Sequence, residues 1–339
     1  MSLYDLVVVG AGPSGLIAAH TWLTVQPQSK VIIFEAGRFI GGTWSKDRIY
    51  PTMMTQTPLG MFEYSSYPMD QPKTTFNELF SGEHTCQYLS DFSRSVQFAG
   101  ETIHDRIDFD SRVTKIWKSN HLWTIETSKE QTVRGRKMIL ATGLTSTPKM
   151  PPFLQQNTSV PIFHSRDLAV ASPILSSSFV RDVIVIGGSK SAFDAVYLLS
   201  KLGKRVSWII RPGGHGPGML ASSGGAGPFK SSHDLISLKL ISKMSPCVFE
   251  ESDGWTKFFH QSLVGSWLVK AIWHLVDKIW QANASYQRDE NFAQLRPDRP
   301  AYWCSDNLGV QNTPDLWDTL SKATVVRGEI IRIETTRLS

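Results

Sequence analysis

The sequence predicts an α/β fold with two doubly wound parallel sheets, and one pattern that occurs twice predicts it. A short apolar, β-branched run leads into a glycine-cornered turn, a small-residue helix and a second apolar run. The first copy reads Leu6-Val7-Val8-Val9, then G-A-G-P-S-G from Gly10 to Gly15, then Leu16-Ile17-Ala18-Ala19, and closes on Val31-Ile32-Ile33-Phe34. The second reads Val183-Ile184-Val185-Ile186, then G-G-S-K-S-A from Gly187 to Ala192, a helix through Asp194, Ala195, Tyr197, Leu198 and Leu199, and finally Val206-Ser207-Trp208-Ile209-Ile210. The first run, short, apolar and β-branched, suits a strand buried on both faces. A further apolar run, Lys137-Met138-Ile139-Leu140, ends in Ala141-Thr142-Gly143 and adds another strand with a glycine turn. Each strand–turn–helix unit has the Rossmann-like form that binds a dinucleotide.

In the first unit, Gly10 permits the tight turn, Gly12 lets the backbone approach a diphosphate, and Gly15 allows close helix–strand packing. Pro13 and Ser14 open the helix, whose free N–H groups and positive dipole end face the phosphates. Glu35 follows Gly15 by twenty residues, at the tip of the next strand, where a carboxylate accepts from ribose hydroxyls. In the second unit, Gly187 and Gly188 form the turn, Ser189 and Ala192 replace the later glycines with small residues, and Ser191 lies between them. No acid stands at its strand tip. Arg211 does, and a guanidinium forks onto a phosphate. That favours NADP over NAD, whose partner would be a carboxylate. Lys190 either helps hold that phosphate or is a solvated lysine.

Six residues past Glu35 comes G-G-T-W, Gly41 to Trp44, followed by Asp47-Arg48-Ile49-Tyr50-Pro51. With these motifs the chain resembles flavin-dependent monooxygenases of the N-hydroxylating, sulfoxidising and Baeyer–Villiger group, and most of all their fungal members. The resemblance implies that the first site holds FAD, with Gly42, Thr43 and Trp44 against it, and that NADPH occupies the second. It also implies that the backbone at Val113 touches the adenine and that Thr142-Gly143 closes the first half of the FAD domain. By the same resemblance the second domain is inserted in the first. The FAD part then spans 1–175, the NADP part 176–322, and 323–339 begins a return to the FAD domain. The implied reaction inserts one oxygen atom of O2 into a small organic substrate through a C4a-peroxyflavin, in fungal secondary metabolism.

The 339 residues suffice for two domains, and 41% hydrophobic with 19% charged residues is an ordinary globular balance. Net charge is +5, yet no Lys/Arg run exceeds two residues, which argues against nucleic-acid binding. Cys86, Cys247 and Cys304 are widely spaced and make no metal pattern, so a reducing compartment, the cytoplasm, is expected. No secretory leader is expected ahead of the first strand.

Residues 45–75 read as a long loop, a length usually tied to function. The resemblance sets this loop against the flavin ring, and Gln56 falls where the family often carries Asn. Gln56 is then either an amide near the flavin or a solvated loop side chain. Residues 83–98 read as a helix with Tyr88, Leu89, Phe92 and Val96 on one face and His84 at the surface. Arg112–Trp117 and Leu122–Glu126 read as a hairpin. The group's F-x-G-x-x-x-H fingerprint is half present, with His164 in place but Thr158 and Val160 at the Phe and Gly positions, so His164 is a hinge or a loop residue. Gly213 to Gly227 reads as a flexible glycine-dense loop, with His215 structural or exposed. From Leu263 to Trp280, apolar pairs recur every four residues with Lys270, His274, Asp277 and Lys278 off the stripe. This is a helix packed on the protein, a substrate lid or a membrane-surface contact through 263–280.

Thr324 to Ile333 is expected to begin the return strand of the FAD domain. Its early stop at Ser339 leaves a non-catalytic flavoprotein or binding subunit as an alternative. A flavin disulfide or quinone reductase is disfavoured because no C-x-x-C pair is present.

Overall fold

The computed structural model describes residues 2–144, 147–151, 160–214, 216–225, 227–246, 249, 251–303 and 307–331. Thr158, His215, Cys247, Cys304 and the residues from Arg332 onward lie outside them.

The chain opens with β1 (Leu3–Val9), α1 (Pro13–Val25), β2 (Val31–Phe34) and α2 (Gly82–Ser95). A short pair, β3 (Gln97–Phe98) and β4 (Glu101–Thr102), precedes β5 (Ile107–Asp108), β6 (Val113–Ser119), β7 (Leu122–Thr127) and β8 (Thr132–Leu140). These build a six-stranded sheet in the order β5-β2-β1-β8-β7-β6. β1 lies between β2 and β8, parallel to both, and β6 and β7 form the expected antiparallel hairpin. The apolar runs of β1 and β2 are shielded on both faces: Leu6, Val8 and Ile33 pack with α1 and α2, while Val7 and Phe34 pack against Ile125 and Val133. β7 reaches only residues 132–135 of β8, whereas β1 follows it to Leu140. Among the described residues, 136–140 therefore has a strand on one side alone.

After α3 (Leu168–Ser176) come β9 (Asp182–Ile186), α4 (Lys190–Lys201), β10 (Arg205–Ile210) and β11 (Met219–Ala221). Then follow α5 (Ser232–Ile236), α6 (Lys239–Met244), α7 (Gly254–Gln261), α8 (Leu263–Ala284), α9 (Glu290–Ala293), β12 (Leu308–Val310), α10 (Leu316–Leu320) and β13 (Thr324–Arg327). The second parallel sheet runs β13-β10-β9, and β11 pairs with β12. Phe193, Trp208, Phe292 and Leu320 form the heart of its core.

Three expectations need correcting. The strand expected to return to the first domain instead flanks β10, with Ser207 opposite Thr324 and Ile210 opposite Arg327. Thr324-Val325-Val326 supplies a β-branched edge that the second sheet uses directly. The helix expected through residue 98 ends at Ser95, because Val96 is extended (φ −128°, ψ 134°) and the next two residues pair with β4. The glycine-dense stretch expected as a flexible loop contains β11, which is fully buried.

Candidate functional site

At the first turn the backbone is arranged by what glycine lacks. Gly10 adopts φ +106°, and a Cβ on Gly15 would stand 1.9 Å from the Gly10 carbonyl oxygen, so α1 can meet β1 only through glycine. Gly12 differs. Its Cβ would meet nothing nearer than the Gly42 Cα at 3.7 Å. A Cβ on Gly42 would stand 3.3 Å from the Gly12 Cα, so the two glycines let the turn and the G-G-T-W backbone come close together, as a diphosphate-binding turn needs. Gly12 also caps α1 without a side-chain hydrogen bond, so the first N–H groups of the helix are left to a ligand.

The G-G-T-W loop is tied to this turn, since the Gly41 N–H donates to the Ala11 carbonyl at 2.9 Å. Gly42, Thr43 and Trp44 then wind into a single 3-10 turn, with the Trp44 ring edge-on to Phe62. Glu35 sits at the end of β2 and braces the same loops: its carboxylate accepts from the Ala11 N–H and the Gly37 N–H, each at 2.8 Å. The Ser111 N–H donates to the Glu35 carbonyl, which brings Val113 alongside at the start of β6. The Ala141 N–H donates to Val9, setting Thr142 and Gly143 beside Gly10. Gly10, Gly12, Pro13, Ser14, Gly15, Glu35, the Gly42–Trp44 turn, Val113, Thr142 and Gly143 thus gather around one strand end. They fit the diphosphate and ribose of a dinucleotide.

The second turn has the same plan, with small residues in place of two of the glycines. Ser189 caps α4 without a side-chain hydrogen bond, and Ser189 and Ser191 are both exposed. The Trp208 indole donates to the Gly187 carbonyl at 2.7 Å, fixing the turn to the sheet. Gly188 backs onto Gly216, with a hypothetical Cβ only 3.0 Å from its Cα, and accepts from the Gly218 N–H. Ala192 is buried under the turn. Arg211 follows β10 directly and is exposed at its carboxyl end.

The family described as pyridine nucleotide-disulphide oxidoreductase matches residues 7–217. An FAD-dependent monooxygenase of Fusarium langsethiae is 33% identical over 331 residues, covering 96% of this chain and 56% of that protein. One from Alternaria brassicicola is 32% identical over 332 residues, with the same two coverages. This chain belongs to the pyridine nucleotide-disulphide oxidoreductase family. The fold agrees with a structure of cyclohexanone monooxygenase from Rhodococcus sp. Phi1 bound to NADP+, at TM-score 0.61 and 17% identity, covering 96% of this chain and 65% of that one. The chain spans a little over half the length of the fungal relatives.

In this family member the long loop links the two nucleotide units. Tyr50 packs against the core of the second unit, and burial pushes its phenol well above the usual range, with Asp194 adding to the effect. Gln56 is neither simply solvated nor free: its side-chain oxygen accepts from the Val310 N–H at 3.1 Å. Gly309, next to Val310, lies against the Lys190 side chain. Lys190 itself is not a solvated lysine, since it pairs with Asp194 and only 12% of its side chain is exposed.

Sequence reasoning missed Arg48 and Arg327. Burial lowers the Arg48 guanidinium and Arg166 adds to that, while Asp47 and Asp167 oppose both. Arg327 stands at the strand end beside Arg211, where it donates to the Gly216 carbonyl at 3.3 Å and pairs with Asp298. The basic tip of β13 could have been read as a second cation, but only with the pairing of β13 known. His164 accepts the Arg166 N–H on its Nδ1 and caps a tight turn. His84 bonds the Asp70 carbonyl at the surface. Burial pushes the Cys86 thiol up, away from a reactive thiolate.

Proposed function

We propose that this chain binds FAD at the Gly10–Gly15 turn and NADPH at the Gly187–Ala192 turn, as part of a monooxygenase acting on a small organic substrate with O2. The FAD elements lie before about residue 175 in this reading and the NADPH elements after it. The observation that carries it is the close backbone approach of Gly12 and Gly42, beside a helix start that no side chain caps. When bound, reduced flavin supplies the oxygen-activating chemistry. The chain's own groups position and shield. Glu35 holds the first turn and offers its remaining lone pairs to ribose, and Arg211 takes the 2′-phosphate that distinguishes NADPH from NADH. Gln56 is proposed to keep the loop nearest the flavin attached to the second unit. Secondary metabolism, implied by the fungal resemblance, is part of the same proposal.

The test is the flavin spectrum of the purified protein, followed by NADPH oxidation with and without oxygen. Yellow protein that oxidises NADPH is expected, and protein that stays colourless after FAD addition would end the reading. Arg211→Ala is expected to raise the KM for NADPH about ten-fold or more, the worth of a charge-assisted hydrogen bond, and to leave NADH nearly unchanged. Equal losses for both nucleotides would remove Arg211 from the 2′-phosphate.

A further inference from the structure

α8 has two apolar faces, and only one is used by the fold. Val269, Trp280 and Ala284 are buried, and Trp280 packs with Met219, Ala221 and Ala301. The opposite arc carries Leu263 at 92% exposure, Val264 at 63%, Trp267 at 66% and Leu275 at 58%. Helical spacing interleaves Lys270, His274 and Lys278 with them, all three exposed. On α7, joined to α8 through Ser262, Trp255 and Phe258 are exposed with Lys257. Residues 254–284 contain three lysines and one acid, Asp277. That acid is turned inward, where it accepts from the Ala301 N–H and the Gln281 amide.

We propose that this face docks α7 and α8 onto an anionic lipid bilayer, lying in the headgroup layer. The chemistry selects that occupant. Exposed tryptophans favour the bilayer interface, and lysines on the same arc extend to lipid phosphates and carboxylates. A second copy placed face to face would set Lys270 and Lys278 against their own kind, which like charges oppose. A lid over the cofactors would use the buried face, which already packs on β11. Among the described residues, no helix is long and apolar enough to cross a membrane, consistent with a helix that lies on one.

Flotation of the purified chain with phosphatidylcholine vesicles, made with or without phosphatidylserine, tests this. The chain floats with the phosphatidylserine vesicles and is released as salt rises. Lys257→Gln, Lys270→Gln and Lys278→Gln each weaken that binding about five-fold. Leu263→Ser combined with Trp267→Ser weakens binding to both vesicle types by about ten-fold or more. These positions are exposed, so thermal unfolding of every variant should match the parent. Failure to float with either vesicle overturns the proposal, as does flotation that all the variants leave unchanged. A vesicle-blind chain that forms a dimer lost on Trp267→Ser would assign the face to a second copy instead.

Discussion

Gly12 and Gly15 stand three residues apart and are glycine for different reasons. Gly15 meets the Gly10 carbonyl, so Gly15→Ala overpacks the α1–β1 contact and should cost about 3 kcal/mol, seen in thermal unfolding without cofactor. Gly12→Ala would make only ordinary van der Waals contact, with the Gly42 Cα at 3.7 Å, and should change apo stability by less than about 0.5 kcal/mol. It should nonetheless lose its FAD, measured as flavin absorbance per mole of purified protein. If both variants melt alike and both keep flavin, the division of labour proposed for this turn is wrong. Asp315 offers a test by pH. Burial raises its carboxyl, but hydrogen bonds from Lys201, Tyr197 and Thr319 outweigh that and hold it at about 2, against an ordinary 3.8. The unfolded chain binds the proton first, so this contribution to stability is complete above about pH 4 and is lost as pH falls toward about 2. Asp315→Asn should flatten that part of the acid-unfolding curve, and an unchanged slope would show that the acid sensitivity lies elsewhere.

At the scale of elements, the sequence is most legible where structure is local. Both strand–turn–helix units are visible because a β-branched run, a glycine corner and a small-residue helix lie within about thirty residues, the length of one βαβ unit. Pairing partners are less legible. β13 reads as a good strand in isolation, but nothing in Thr324–Arg327 says that its neighbour is β10 rather than a strand of the first sheet. α8 shows a further limit: doubled apolar residues every four positions cover more of the helix than one core can bury, so periodicity locates the helix and leaves its buried side undecided. The two faces can be told apart by mutation. Trp280→Ala should cost about 3 kcal/mol or more, and Trp267→Ala close to nothing, in the same unfolding assay. Similar costs for both would mean that the outer face is also packed.

For the whole molecule, the contacts that join the units are the ones sequence could not supply. Gln56 and Val310 are 254 positions apart, and Asn77 reaches Ser223 across 146. The family resemblance placed Gln56 where Asn is often found and so weighed it as a flavin-side amide or a solvated one. The hydrogen bond to β12 adds the role of tether. Gln56→Leu would leave the buried Val310 N–H without an acceptor and should cost about 1–3 kcal/mol, whereas Gln56→Glu keeps an oxygen there and should cost less. Equal melting points for the two variants would dismiss the tether.

The carboxyl half of β8 has a consequence of its own. Among the described residues, no strand pairs with its outer side over residues 136–140, beside a shallow apolar trough formed by Ile17, Trp22 and Val25. Backbone ladders are indifferent to sequence, so any extended peptide of compatible length can zip onto that side. Which peptide does so depends on proximity and concentration. Dilution and crowding therefore belong among the variables that govern how this chain behaves in the tube.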